Sequence, residues 1–186
     1  MKNFLSIVFG IAMFGLPGAV RSQDLYMTRT GQISFFSKTS MENIDAINNE
    51  VTSVLNTKTG ELAFAVLIKS FRFEKALMEE HFNENYMESS RFPKSTFSGK
   101  ILNLSDINFG KDGTYRASVE GDLTIHGVKK KVNSQGEVQI AKGKIVALAD
   151  FVVFLKDYDI KVPSLVADKI SESIEVKVNC EYEARQ

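Results

Sequence analysis

The stretch GTYRASVEGDLTIHGVKKKVNSQGEVQI, Gly113 to Ile140, decides the fold, because it reads as one long antiparallel hairpin. Tyr115, Ala117, Val119, Gly121, Leu123 and Ile125 alternate with Arg116, Ser118, Glu120, Asp122, Thr124 and His126. Successive side chains of a strand point to opposite faces, so one face is apolar and the other polar. Past His126-Gly127, Val128, Val132, Val138 and Ile140 share one parity, and Lys129, Lys131, Asn133, Gln135, Glu137 and Gln139 share the other. The apolar register therefore survives the turn. Each arm runs for about twelve residues, against roughly five to six in an ordinary strand, and long hairpins with one dry face are the material of cavity-enclosing barrels.

Outward from this hairpin the same alternation predicts strands at Leu25 to Thr30, Gln32 to Thr39, Ala46 to Asn56, Glu61 to Lys69, Thr96 to Asn103, Lys144 to Lys156 and Ser173 to Glu183. Turn signals stand between them at Thr59-Gly60, Gly110 to Gly113, His126-Gly127 and Lys142-Gly143. The order is antiparallel and mostly up-and-down. One amphipathic helix is expected between about Phe73 and Asn83, with Phe73, Ala76, Leu77 and His81 as its stripe, and a second short one over Pro163 to Ile170. Such connections cap an open barrel end.

The inward parity collects Phe35, Phe64, Val66, Phe97, Ile101, Val119, Leu123, Ala147, Ala149, Phe151 and Val176, and these are the expected lining of a continuous apolar cavity. Ala147, Ala149 and Gly99 leave space among larger neighbours. Two readings fit that space: a tunnel, or a core tapering around larger side chains. On the tunnel reading, replacing Ala149 by Phe closes the space to any ligand and leaves the melting temperature unchanged. The strand from Lys144 to Lys156 is apolar on its second face too, at Val146, Leu148, Val152 and Phe154, so a second cover is expected, either the helix or another subunit in a homodimer.

Composition narrows the setting. With 186 residues the chain makes one domain with a sizeable core. Lys2, the apolar run Phe4 to Leu16, Pro17-Gly18 and the small residues before Gln23 follow the order of a secretory signal peptide, and the run is too short to span a bilayer comfortably, an uncleaved membrane anchor being the alternative. Residues 1–22 are read as that peptide and 23–186 as the barrel domain, exported to the periplasm. Losing Lys2 and Arg21, and no acid, takes 23 basic residues to 21 against 23 acidic ones, a net charge of −2. That balance argues against a nucleic-acid partner. The single cysteine, Cys180, shares its parity with Ile174, Val176, Val178 and Tyr182 and reads as a small buried core residue.

Catalytic and metal-binding patterns are absent from the sequence. It holds no P-loop, no GxGxxG, no CxxC and no GxSxG. The two histidines, His81 and His126, stand in neither HxH nor HExxH spacing, so no metal site and no cofactor is expected. His81 reads as a half-buried structural residue of the helix, and His126 as a turn residue tolerant of unusual backbone angles. The expectation is a protein with no catalytic residue. Lys129-Lys130-Lys131 lies in solvent on either of two readings: charges that keep a hairpin edge from pairing, or a point of transient contact with anionic headgroups at a membrane surface.

Two stretches carry a resemblance. HFNENYMESSRFPKSTFSGKI, His81 to Ile101, and YRASVEGDLTIHGVKKKV, Tyr115 to Val132, resemble the two signature regions of the YceI-like periplasmic proteins, bacterial lipocalin-like barrels that bind polyisoprenoids. Phe92-Pro93-Lys94-Ser95-Thr96-Phe97-Ser98-Gly99 matches the end of the first signature, and Gly121 to Lys130 the second. The chain departs from the family pattern at Ser37 to Asn43, where many members carry a histidine followed by a glycine. The resemblance implies an all-β fold with one or two short helices, an eight-stranded antiparallel lipocalin-like β-barrel whose apolar interior holds an isoprenoid tail. It implies binding, storage or transport of a polyisoprenoid or isoprenoid quinone. The rival readings are a packed structural envelope protein and an enzyme acting on a lipid-like substrate.

Overall fold

A computed structural model describes residues 24–185. The expected signal peptide lies outside the described residues. Nine strands lie among the described residues: β1 (Leu25–Lys38), β2 (Asn43–Asn56), β3 (Glu61–Leu67), β4 (Arg72–Phe73), β5 (Lys94–Ile101), β6 (Gly113–Ile125), β7 (Val128–Ala141), β8 (Lys144–Phe154) and β9 (Ser173–Ala184). Eight of them close on themselves in the order β1-β2-β3-β5-β6-β7-β8-β9, with β9 returning to β1, and the two-residue β4 pairs with β2. Every neighbouring pair is antiparallel. Closure pairs the first and last strands, so the sheet has no free edge strand.

The deciding hairpin forms in the register its alternation predicts, from Gly113 opposite Ile140 to Ile125 opposite Val128. His126 and Gly127 make a two-residue turn with φ of 51° and 77°. Positive φ at both central positions matches the twist of the flanking strands, which is why such turns close hairpins. Lys142-Gly143 repeats the device between β7 and β8, with φ of 51° and 79°.

The two strands predicted over Leu25 to Thr39 are one. Register shifts on both sides of Gly31 mark a bulge where the prediction put a break. Only glycine fits there, because a Cβ would come within 2.6 Å of Cys180 Sγ.

Both predicted helices are shorter than expected. Helix α1 covers Ala76–His81, a π-turn carries it on through Phe82–Tyr86, and none of its residues is buried. Leu77 is 60% exposed and His81 is exposed rather than half-buried, because α1 lies across the barrel mouth and not against a filled core. The second stretch is a single 3-10 turn over Ser164–Val166.

β7 and β8 pair only from Gly136–Ala149 to Ala141–Lys144, so the β7 backbone from Val128 to Gln135 has no partner on that side. Lys129, Lys130 and Lys131 are all exposed along this open margin. Charges there oppose pairing with another chain, the first of the two readings of the run. Past β8 the chain turns through Leu155–Tyr158 and packs Tyr158 and Ile160 into the interior. On the outer face of β8, Val152 and Phe154 stay 50% and 47% exposed, so the helix does not supply the expected second cover.

The largest buried cluster gathers Val51, Leu55, Ile101, Ala117, Val138, Ile140, Ile145, Cys180 and Tyr182. Tyr182 Oη lies 2.6 Å from Ser53 Oγ, which donates onward to the Ala63 carbonyl at 2.9 Å. With its one proton so used, Ser53 accepts the tyrosine's hydrogen bond. Burial pushes the Cys180 thiol up to about 12, with a hydrogen bond from the Gln32 backbone pulling the other way. The Tyr182 hydroxyl is raised as well, by burial first and by the nearby Cys180 second.

Candidate functional site

The opposite end of the barrel holds a cavity of about 540 Å³ that no side chain fills. Ile33 and Phe35 of β1, Val66 of β3, Leu123 and Ile125 of β6, Phe151 and Val153 of β8, and Ile174 and Val176 of β9 form its walls. Two covering segments complete it. Residues 68–93 bring Ile68, Phe71, Phe73, Phe82 and Met87, and residues 155–172 bring Leu155, Ile160, Val166 and Ile170.

Four rings fix the first cover to the wall. Phe35 stands 5.3 Å from Phe71, 5.8 Å from Phe73 and 5.4 Å from Phe82, and Phe82 stands 5.5 Å from Phe71 and 5.1 Å from Phe73. These spacings lie in the favourable range for aromatic pairs, which adds stabilisation beyond the area they bury. The cover is therefore held by its rings, of which Phe73 alone belongs to the stripe predicted for α1.

His126 ties the covers to the hairpin. Its side chain is 10% exposed, its Nδ1 lies 3.1 Å from the Tyr158 carbonyl and its Nε2 lies 3.3 Å from Glu88 Oε1. The Phe92 ring packs edge-on to it at 4.6 Å, and the Arg91 guanidinium lies over that ring at 4.8 Å. Gly127 completes the contact, since a Cβ there would come within 2.5 Å of Phe92. The two stretches that carry the resemblance thus meet at Phe92, His126 and Gly127. The hairpin turn, the first cover and the second cover are joined at one histidine.

Of the residues expected to line the cavity, Phe35, Val66, Leu123, Phe151 and Val176 do so. Phe64, Phe97, Ile101, Val119, Ala147 and Ala149 lie outside it, toward the packed end. Ile101 is in the buried cluster, and Phe64, Val119 and Ala147 pack against it. The ring of Phe97 takes the space that Gly99 leaves, for a Cβ on either Gly99 or Gly121 would fall 2.6 Å from its Cζ. Ala149 faces Gly136 and Val178 across its two ladders, and its Cβ lies 3.4 Å from where one on Gly136 would be. Parity assigns a face but not a height along the barrel axis, and strands of 11 to 14 residues reach roughly 40 Å at about 3.3 Å per residue.

Sequence reasoning missed Phe71, Phe82, Met87 and Ile160, which sit in connections and follow no strand alternation. The apolar spacing of Phe71, Phe73 and Phe82 was the one available signal.

The ionisable side chains on the cavity are Glu42, Lys75, His81, Tyr86 and Lys169. Lys75 pairs with Glu42 at 3.2 Å. Burial raises the Tyr86 phenol, which stays neutral at physiological pH. No group of three or more His, Cys, Asp or Glu residues among the described residues could hold a metal ion, and no helix among them is long and apolar enough to cross a membrane. What the site offers chemically is a deep apolar surface behind a small charged rim.

Fold and cavity together define a class, the closed eight-stranded lipocalin-like barrel with one covered apolar chamber. The family model of the YceI-like domain matches residues 24–182, and the chain belongs to that family. Among solved structures it is similar to a polyisoprenoid binding domain from Saccharophagus degradans implicated in plant cell wall breakdown, with TM-score 0.76, 16% identity, and 87% of this chain and 99% of that one covered. It is similar to Burkholderia cenocepacia BcnA, with TM-score 0.68, 12% identity and coverage of 82% and 96%. The Campylobacter jejuni YceI protein aligns over the whole of both chains, with TM-score 0.56 and 16% identity. At such identities the likeness is one of fold. No curated protein matches the sequence.

Proposed function

We propose that this protein binds, stores or carries a long apolar lipid of the polyisoprenoid or isoprenoid-quinone type in the periplasm, and performs no covalent chemistry. The observation that carries the reading is the apolar chamber of about 540 Å³ at one barrel end. That volume falls within the roughly 300–1,000 Å³ of small-molecule sites. Each methylene moved from water into such a chamber contributes about 0.8 kcal/mol, so affinity accumulates over a tail without any single polar anchor. Membership of the YceI-like family supports the reading, as does the fold shared with a protein described as a polyisoprenoid binding domain. Export rests on the pattern of residues 1–22, and transient contact with a membrane surface follows from where such a lipid resides.

The unfilled chamber weighs against a merely packed structural barrel. An enzyme acting on a lipid is less well supported, because the ionisable groups on the chamber form no nucleophile–base pair. Organic extraction and mass spectrometry of protein purified from its own periplasm should recover an isoprenoid lipid. Recovery of no lipid, together with failure of the stripped protein to bind geranylgeraniol, would overturn the proposal.

A further inference from the structure

We infer that the bound lipid ends in an anionic head, a carboxylate or a phosphate, and that Lys75, Lys169 and His81 receive it at the mouth of the chamber. The inference rests on the tail-binding function proposed above and adds the chemistry of the ligand's other end.

The rim carries two ammonium groups and an imidazole against one carboxylate, Glu42. That surplus is local, since the chain as a whole has 23 basic and 23 acidic residues. Glu42 is already engaged with Lys75 at 3.2 Å. Among the described residues, Lys169 and His81 have no ion pair and no side-chain hydrogen bond. At least one cation thus borders an apolar chamber without a counter-ion.

A charge beside a low-dielectric volume acts on an incoming anion more strongly than one facing bulk water. Ammonium and imidazolium groups donate charge-assisted hydrogen bonds to carboxylate and phosphate oxygens, whereas a neutral alcohol or quinone gains much less from them. Lys75 precedes α1, His81 ends it, and Lys169 stands on the other covering segment, so the three come from both covers. Long flexible lysine stems can close on a head at the opening while the tail occupies the chamber.

The test uses three probes with one tail: geranylgeranyl phosphate, the matching geranylgeranyl carboxylic acid and geranylgeraniol. Each is titrated into lipid-stripped protein at low and high salt, and into the double variant Lys75→Gln, Lys169→Gln. At least one anionic probe should bind about tenfold more tightly than the alcohol, a difference of about 1.4 kcal/mol. The better of the two identifies the oxyacid. The preference should shrink at high salt and vanish in the double variant, with the alcohol's affinity unchanged. Adding His81→Gln should reduce any preference that survives. Equal affinity for all three probes overturns the inference and leaves tail binding standing, as does an anionic preference the double variant does not alter. If none of the three binds, tail binding fails and the inference with it.

Discussion

At one end of the barrel Leu55, Ile145, Cys180 and Tyr182 are at most 1% exposed, while at the other Phe35, Leu123, Phe151 and Val176 are only part-buried because they face a chamber. The same strands build both ends, and the inward residues follow the same parity. What differs is whether neighbours take up the room between the inward side chains, for large ones such as Leu55 and Tyr182 stand at the packed end too. Small inward residues, Gly31, Gly99, Gly121, Gly136, Ala117, Ala147 and Ala149, lie toward the packed end, where Cys180 Sγ takes the room at Gly31, the Phe97 ring that at Gly99 and Gly121, and the Leu148 backbone that at Gly136. Large ones stand around the hollow end, where the covers hold them apart through the ring contacts of Phe35, Phe71, Phe73 and Phe82.

The largest expected effect that would break this contrast is on stability. Leu55→Ala at the packed end should cost about 2–5 kcal/mol, because a cavity opens among close-packed neighbours. For a domain of this size each kcal/mol lowers Tm by about 2–4 °C. Val176→Ala at the hollow end should cost less than about 1 kcal/mol. Thermal melts of the two variants check this, and equal losses would dissolve the distinction.

Overpacking sharpens it next. Ala149→Phe should destabilise by about 1–3 kcal/mol, since its side chain meets Gly136 and Val178 with no chamber to enter. The expectation from sequence was the reverse, an unchanged melting temperature with binding blocked. Val176→Phe should instead give that result, with stability held within about 1 kcal/mol and lipid binding reduced at least about tenfold. Paired melts and lipid titrations read both outcomes.

Alkaline pH should act most on the packed end, although burial also raises the Tyr86 and Tyr158 phenols at the other. The Cys180 thiol is raised to about 12 from 9.0 and the Tyr182 hydroxyl is raised as well. Above pH 9 the unfolded chain releases these protons and the folded one keeps them. Stability is thus complete below about pH 9 and falls as pH rises, by at most about 1.4 kcal/mol per unit for each group. Tyr182→Phe should flatten this slope in denaturant titrations at pH 9 to 11, although it starts from a lower stability through loss of the bond to Ser53. A slope unchanged by the substitution would contradict the assignment.

The smallest effect belongs to the junction of hairpin and covers. His126→Gln should cost about 1 kcal/mol through its two hydrogen bonds while leaving binding of an uncharged lipid within a few fold. Loss of turnover of a lipid substrate on this change, with binding retained, would revive the enzyme reading. Binding lost outright would instead mean that the covers, not the wall, make most of the chamber.

The sequence by itself determined the barrel. Alternation over Gly113 to Ile140 set the hairpin and its face, the left-handed turns at His126-Gly127 and Lys142-Gly143 fixed register, and the parity of Cys180 placed it inside. These properties are local, repeating every two residues or residing in one dihedral angle. Only the tertiary structure decided which half of the inward face is filled, that the Gly31 break is a bulge, and that His126 joins Glu88, Phe92 and Tyr158. Those outcomes depend on which residues meet across the barrel at one height, and on covers of irregular chain that obey no period. Pairs such as Tyr182 and Ser53, separated by 129 positions, arise from closure of the barrel.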